Sequence, residues 1–332
     1  MSILLRLLTF LRPYRTAVVI TALAAAALQV ASVTLPYLTG RVIDDVLKDG
    51  QRDLLLPLCL AFLLVALIRM GLAFVRRTVS GWVSLGVEYD LRGIVFDHLQ
   101  HLSFAYHDRT PVGQLMSRLT ADLQAVRFFL GYGLIFLFMH LFTLVIVLSR
   151  LAWIDPLLAL LALLVGPVLT AVAWRYSRIS NPILIDVQQK LARVSELAQQ
   201  SAVGIRVIKS FGRERELGRR FRGRADQAFS RSIDAARVEA FYQPFLGFLP
   251  IAGIALVLAV GGTMAINGDL SVGSFIEVYL LLALLMFPFR VLGSLVGNAQ
   301  RAIAGGTRVF EVLDEKIEIT EDPEARPLPP GP

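Results

Sequence analysis

The feature that most constrains the fold is a set of long segments without a charged side chain. A helix needs about 20 mainly apolar residues to cross a hydrocarbon core of about 30 Å. Segments of about this length that contain no Asp, Glu, Lys or Arg are Thr16–Gly40, Phe128–Ser149, Pro156–Trp174 and Ala240–Gly268. Two further segments carry little charge: Leu54–Val75 contains Arg69, and Leu270–Gln300 contains Glu277 and Arg290. The sequence therefore predicts an all-α polytopic membrane protein with six transmembrane helices.

The overall composition agrees with this prediction. The chain is 55% hydrophobic and only 18% charged, whereas soluble domains carry about 25% charged residues. The net charge of +7 could suggest nucleic-acid binding, but membrane proteins also keep an excess of Arg and Lys in their cytosolic segments. We therefore predict lipid as a partner and no nucleic acid. Because Cys59 is the only cysteine, an internal disulfide is excluded.

The distribution of positive charge predicts the orientation. If the N-terminus is cytosolic, segments 1–15, 76–127, 175–239 and 298–332 lie in the cytosol and contain 27 of the 33 Lys and Arg residues. The external connections then contain four: Arg41, Lys48, Arg52 and Arg150. This asymmetry follows the positive-inside rule. We predict an integral protein of the plasma (inner) membrane with both termini in the cytosol.

The first 15 residues are amphipathic. The segment "SILLRLLTFLRPYR" has leucines on one helical face and Arg6, Arg12 and Arg15 around the other. This pattern is typical of a helix in the membrane interface, and we predict an interfacial elbow helix over residues 1–15. A cleaved signal peptide is the alternative, although the uncharged run that follows is much longer than the apolar region of such a peptide.

Two long charged excursions, near 76–127 and 175–239, separate spans two and three and spans four and five. They keep the helical alternation of apolar and charged residues. If the second span continues to about Ser103, its helix is roughly 75 Å long at about 1.5 Å per residue. Each excursion turns at a short element, "YHDRTPVGQLMSRLTAD" in the first and "GIRVIKSFGRERE" in the second. An apolar patch held far from the membrane predicts a docking site for another domain.

At these elements the chain resembles the six-span transmembrane domain of ABC exporters of the half-transporter type. The segment "VEYDLRGIVFDHLQHLSFAYHDRTPVGQLMSRLTADLQAV" is similar to the first intracellular loop of that family. The segment "ELAQQSAVGIRVIKSFGREREL" is similar to the second, and "RVFEVLD" resembles the exit of the sixth span. The resemblance covers some 300 residues in the right order. His107 departs from it, because the family tends to have an aromatic residue there.

The resemblance implies that the two tips are coupling helices, which dock on ATP-binding domains and pass their closure to the spans. The residues that it assigns to coupling are Asp108, Gly113, Arg118, Asp122, Gly204, Ile205, Ile208, Lys209 and Phe211. We expect the apolar residues to anchor the tip and the charged ones to set its register. The resemblance also implies that a second half-transporter, identical or different, completes a dimer, and that the second tip reaches the ATP-binding domain of that partner.

No ATPase motif is found in the sequence. A phosphate-binding P-loop needs Gly-Lys-Ser/Thr, and none of the four lysines follows a glycine. We therefore expect residues 16–312 to form the transmembrane domain and 313–332 to form a linker toward a missing ATP-binding domain, fused or separate, with truncation favoured. ATP and Mg would bind to that domain. This chain alone would have no catalytic residues and no cofactor.

Polar residues within spans are candidates for the transport path, because they are costly against lipid. The candidates for the lumen or a gate are Gln29, Arg69, Glu277 and Arg290. We predict that Arg69 and Arg290 line an inward-facing cavity and that Glu277 lies by the outer gate. Alternatively, the charged residues among them have a structural role, with side chains that extend to the membrane interface.

Intramembrane charges also occur in ion-coupled secondary transporters, which are one alternative function. A membrane-anchored scaffold is another. His98 and His101, three residues apart beside Asp97, are a weak metal pattern on a solvated helix face, so no metal site is predicted. His140 is expected to pack within the membrane or to be a polar residue of the lumen. The cargo predicted for the exporter is amphipathic or hydrophobic, moved by alternating access.

Overall fold

A computed structural model describes residues 3–318, with the backbone alone for 289–294. The α-helices are α1 (Ile3–Thr9), α2 (Arg15–Arg41), α3 (Leu55–His101), α4 (Phe104–Arg109), α5 (Val112–Ser117), α6 (Leu123–Phe128), α7 (Leu134–Ile154), α8 (Pro156–Val203), α9 (Ile205–Ser210), α10 (Glu214–Asn267) and α11 (Val272–Leu313). Shorter helical turns join several of them. Within the described residues there is no β-strand, so the predicted all-α class is confirmed.

Five helical segments are long and apolar enough to cross a membrane. They are Arg12–Lys48, Arg52–His101, Val112–Ile154, Pro156–Val203 and Glu214–Asn267. In α11 the described apolar stretch, Val272–Pro288, is shorter, and the predicted sixth span also includes 289–294, whose side chains lie outside the described residues. Five spans and the helix α11 are consistent with the predicted architecture, and the sixth span stays a prediction.

The helix boundaries follow local capping chemistry. Asp155 precedes α8, and its carboxylate accepts hydrogen bonds from the backbone N–H groups of Leu157 and Leu158 at 2.8 and 3.0 Å. Pro156 is the first residue of this helix, where a missing N–H costs nothing. Ser271 caps α11 in the same way through the N–H of Ser274 at 3.0 Å. These caps fix where two of the long helices begin.

The chain divides into two compact units. The first contains the residues up to Ile154 and those from Ala265 onward, and the second contains Asp155–Met264. In the first unit, α2, α3, α7 and α11 pack together, and one end of the bundle has a core built from α1, α3, the α4–α6 segment and the end of α11. Fully buried members of this core are Leu7, Val87, Leu91, Leu123, Val126 and Val312.

The second unit is a hairpin of two long helices, α8 with 48 residues and α10 with 54, joined by α9. Arg231 of α10 bonds to Asp186 of α8 at 2.7 Å, and the rings of Tyr176 and Tyr242 lie 5.3 Å apart. At about 1.5 Å per residue each helix is more than 70 Å long, far beyond the thickness of a bilayer core. The hairpin therefore holds α9 well away from its apolar half.

The N-terminal segment is shorter as a helix than the predicted 1–15. The α1 helix ends at Thr9, and a tight turn at Arg12–Tyr14 leads into α2 at Arg15. Pro13 lies in this turn, since proline lacks the N–H that a continuing helix would use. The α11 helix ends at Leu313. The predicted boundary between the transmembrane domain and the linker at residue 313 stays a prediction, and most of that linker, 319–332, lies outside the described residues.

Candidate functional site

The second tip is a single-turn helix between two glycines. Gly204 separates it from α8, and Gly212 follows it with φ of +61°. A positive φ is easily reached by glycine and is costly for most other residues. The N–H of Arg213 then bonds to the carbonyl of Ile208 at 3.1 Å, which closes the turn before α10 begins at Glu214.

An exposed apolar stripe runs over this tip. Val203 at the end of α8, Val207 of α9 and Phe211 directly after α9 are 84%, 61% and 75% exposed. Ile205 is also exposed, whereas Ile208 is half-buried next to the α10 residues Leu217 and Arg220. We name Val203, Val207 and Phe211 the tip stripe. Sequence reasoning missed Val203, and it gave Ile208 a more prominent place than its burial supports.

Charged side chains surround the tip stripe and pair with one another. Lys209 lies 3.1 Å from Glu214, and Arg213 and Arg220 each lie 2.5 Å from Glu216. Glu214 and Glu216 are in the first turn of α10, where the helix dipole stabilises negatively charged side chains. Lys209 is exposed, so its side chain is accessible for the predicted contact with a partner.

The first tip comprises α4, α5 and the Thr110–Pro111 turn between them. Its exposed apolar residues are Phe104, Val112 and Met116, while Tyr106 and Leu115 are buried and anchor it to the core. Asp108 and Gly113 are exposed, and a Cβ atom built on Gly113 would meet nothing within 4 Å. His107 of α4 forms a hydrogen bond through Nε2 with the carbonyl oxygen of Leu99 at 3.1 Å, and this bond joins the first tip to the end of α3.

Two residues assigned to coupling instead bind within the chain. Asp122 is only 6% exposed, and both of its carboxylate oxygens accept hydrogen bonds from Arg308 of α11. Arg118 lies 3.4 Å from Glu311 on the same helix. The bond to Asp122 raises the pKa of the Arg308 guanidinium. These two side chains fix α11 to the helical turn Arg118–Asp122, which directly follows the first tip.

The four intramembrane candidates have different surroundings. Gln29 is buried and donates a hydrogen bond from Nε2 to Thr143 Oγ1, which joins α2 to α7. Glu277 is 3% exposed and accepts two hydrogen bonds from Arg150. Arg69 is partly exposed and has no ion pair or hydrogen bond to the described residues. The side chain of Arg290 lies outside the described residues.

Of the three candidates whose side chains are described, Gln29 and Glu277 bond to neighbouring helices, and a lumen role for the four residues stays a prediction. Sequence reasoning placed Arg150 in an external connection and missed its pairing with Glu277. The guanidinium of Arg150 also lies 4.9 Å above the ring of Tyr37, so three helices meet at this ion pair. The sequence did indicate that Glu277 would have a cationic partner, because a glutamate within a span is usually paired. It did not indicate which of several cationic residues would be that partner.

Backbones approach closely where α2 meets the start of α11. The carboxylate of Asp44 accepts hydrogen bonds from the N–H of Gly273 at 2.8 Å and from Ser271 Oγ at 2.5 Å. A Cβ atom built on Gly273 would overlap the carbonyl oxygen of Gly40 and the carboxylate of Asp44. Gly273 is therefore a packing residue, and Asp44 closes the bundle at the end opposite to the first tip.

No metal site is found where the structure describes the chain: no group of three His, Cys, Asp or Glu side chains could hold an ion. His98 bonds through Nε2 to the carbonyl oxygen of Glu315 at 3.1 Å, and His101 through Nδ1 to that of Asp97 at 2.8 Å. His140 is buried between the rings of Phe136 and Phe287.

The comparisons with known proteins agree with this geometry. Residues 18–289 match the family described as ABC transporter transmembrane region. A multidrug efflux ATP-binding/permease protein of Mycobacterium tuberculosis is 33% identical over 92% of this chain and 25% of its own length. An ABC transporter ATP-binding protein of Bacillus subtilis with no assigned function is 27% identical over 96% of this chain and 55% of its own.

An ATP-dependent lipid A-core flippase of Syntrophus aciditrophicus is 26% identical over 99% of this chain and 55% of its own length. The chain thus spans about a quarter to about half of the curated relatives that it matches. The family match covers most of the chain and the helices that form both tips. The resemblance read from the loops is confirmed, and the chain belongs to the family of ABC transporter transmembrane regions.

Proposed function

We propose that this chain is the membrane-spanning, substrate-translocating part of an ATP-driven exporter. The observation that carries the proposal is the tip stripe at and beside α9, an exposed apolar surface at the end of two helices that are each longer than 70 Å at about 1.5 Å per residue. Exposed apolar surface of this kind marks a contact with another protein. The matched relatives are ATP-binding/permease proteins and flippases, which supports an ATP-binding domain as the partner.

The proposed mechanism is a lever. ATP, held with Mg on the ATP-binding domains, brings those domains together, and the two tips pass the displacement to the long helices, which open the spans alternately to each side. The tip stripe anchors the second tip on the ATP-binding domain, and the exposed charge of Lys209 sets the register of that contact. A carrier driven by an ion gradient has no need of such levers.

The cargo is proposed to be amphipathic or hydrophobic. Multidrug efflux and lipid A-core flipping are the activities named for two of the relatives, and both involve molecules of this class. A dimer of two such chains, or of this chain with a related one, would enclose the path. Arg69, whose partly exposed guanidinium lies within a span, and Arg290 are proposed to line the inward-facing side of that path.

The charge distribution supports placement in the plasma (inner) membrane with both termini in the cytosol. Single cysteines at exposed positions test this arrangement once Cys59 is replaced by serine. Phe211→Cys should be labelled by an impermeant thiol reagent only in inside-out vesicles, and Leu47→Cys only in right-side-out vesicles. The reverse labelling pattern would show that the chain has the opposite orientation in the membrane.

The decisive experiment is transport by the complete protein in proteoliposomes, with the ATP-binding domain fused or co-expressed. We expect flux of a fluorescent amphipathic dye that requires ATP and Mg and stops when the catalytic glutamate of the ATP-binding domain is replaced. Flux without nucleotide that follows a proton or sodium gradient would assign the chain to the secondary transporters. Docking of a partner without any flux would favour a membrane-anchored scaffold.

A further inference from the structure

The end of α11 is held by three other parts of the first unit. Arg6 of α1 bonds to both carboxylate oxygens of Asp314, at 2.5 and 2.6 Å, and its guanidinium lies 4.0 Å above the ring of Phe310. His98 of α3 bonds to the carbonyl of Glu315. The first tip and the segment after it contribute the remaining ion pairs. We name the set the exit clasp: Arg6, His98, Arg109, Arg118, Asp122, Arg308, Glu311, Asp314 and Glu315.

The centre of the exit clasp is the ion pair between the buried Asp122 and Arg308, whose side chain is about half exposed. Both carboxylate oxygens of Asp122 are engaged by the guanidinium of Arg308. A Cβ atom on Gly305, one turn earlier in α11, would lie 3.0 Å from the carbonyl oxygen of Asp122, so the two backbones are close. A buried carboxylate whose cation is removed is left uncompensated, which makes this pair the part of the clasp most sensitive to change.

An apolar layer lies beneath these charges. Val309, Phe310 and Val312 of α11 are buried in the same core as Tyr106 and Leu115 of the first tip. Tyr106 belongs to α4 and Leu115 to α5, so both halves of the tip rest on the core that encloses the end of α11. Close-packed interiors transmit displacement with little compression.

The order of charges opposes sliding. Arg308 and Glu311 of α11 and Glu315 just after it face Asp122, Arg118 and Arg109 in turn. A shift of α11 by one helical turn, about 5.4 Å, would bring Glu311 to Asp122 or Arg308 to Arg118. Like charges would then meet in either direction, so the clasp favours a single register.

We propose that the end of α11 and the first tip move as one rigid body, with Asp122 and Arg308 as positioning residues for ATP-coupled transport. The inference rests on the proposed function. A displacement of the chain that follows Glu318 reaches the first tip through the exit clasp, in addition to any force that the tip receives by docking. Asp122, assigned by resemblance to the docking surface, acts here through α11.

Charge exchange in the complete protein tests the positioning role. Asp122→Arg and Arg308→Asp should each lower ATP-driven flux by about tenfold, within the usual range of coupling between sites, while basal ATP hydrolysis persists. The double exchange should restore at least half of the flux. The control is Arg92→Gln, at an exposed side chain of α3 whose partner Glu88 keeps its bond to Arg127, and it should leave flux and hydrolysis unchanged. Single variants with normal flux, or a double exchange that rescues nothing, would overturn the positioning role.

A cross-link tests rigidity without disturbing the pair of Asp122 and Arg308. Arg118→Cys and Glu311→Cys, combined with Cys59→Ser, place two thiols where an ion pair lies at the rim of the clasp. Joining them with a short bismaleimide should leave flux as it was before treatment, because a rigid body does not need them to separate. Loss of flux on cross-linking, with no loss in either single-cysteine control, would show that α11 and the tip part during the cycle.

The two proposals fail in different ways. If the unmodified complete protein shows no ATP-driven flux, the proposed function fails. If it shows flux and the Asp122 and Arg308 variants match it, only the rigid-body inference fails.

Discussion

Arg150 donates two hydrogen bonds to the carboxylate of Glu277, from Nε at 2.6 Å and from Nη2 at 3.0 Å, although the residues are 127 positions apart in the chain. Arg150 lies near the end of α7 and Glu277 near the start of α11. The pair therefore joins two spans at the end of the bundle opposite to the first tip. Glu277 is occupied by this bond rather than free to face cargo.

Removing one partner of this pair should destabilise the bundle. Breaking a buried ion pair costs about 3–5 kcal/mol, and because Arg150 remains partly exposed we expect about 2 kcal/mol for Glu277→Gln. The measurement is the thermal unfolding midpoint of the purified protein in detergent. The double variant Glu277→Gln with Arg150→Gln should lose less than the sum of the single variants. Strict additivity would show that the two charges do not interact.

Gly273 should tolerate no side chain. Alanine there would overlap Gly40 and Asp44, and such overpacking costs about 1–3 kcal/mol. The matched control on α11 is Gly297→Ala, since a Cβ atom at Gly297 meets nothing within 4 Å and the change should stabilise the helix by about 0.4–1 kcal/mol. Opposite shifts of the unfolding midpoint are expected. If the two substitutions had equal effects, the result would contradict the close contact between α2 and α11 at Gly273.

Gln29 should act as a packing residue. Its hydrogen bond to Thr143 joins α2 and α7, and such bonds between membrane helices contribute about 0.6 kcal/mol on average. Gln29→Leu should therefore lower stability only slightly and leave cargo preference unchanged, as should Thr143→Val. A change in the ranking of dyes transported by Gln29→Leu would return this residue to the transport path.

The tip stripe should matter more than Ile208 for docking. Phe211→Asp and Val207→Asp place a charge on exposed apolar surface, so we expect normal membrane insertion with ATP-driven flux reduced about tenfold. Ile208→Asp acts mainly on a half-buried side chain and should instead lower the thermal stability of the hairpin. Ala202→Asp, an exposed position off the stripe, is the control. If Ile208→Asp uncouples flux and Phe211→Asp does not, the docking face has been misassigned.

The sequence by itself determined the properties that depend on short segments. Runs such as Phe128–Ser149 indicate spans because a helix in a bilayer must satisfy its own backbone hydrogen bonds, whatever its neighbours are. The stretch "GIRVIKSFGRERE" marked the second tip for an equally local reason, since it is a short apolar patch within a long charged excursion. The loop segments around these turns were also sufficient to identify the family.

Only the tertiary structure decided which of the named side chains bind within the chain. Asp122 and Arg308 are 186 positions apart, and Arg150 and Glu277 are 127 positions apart, so helix packing selects these partners and local pattern does not. The two faces of α9 were also undecided, because adjacent helical residues point about 100° apart and the exact start of the helix determines which is covered. Residues recognised by their position in a motif were thus divided by packing into an exposed stripe and an internal clasp.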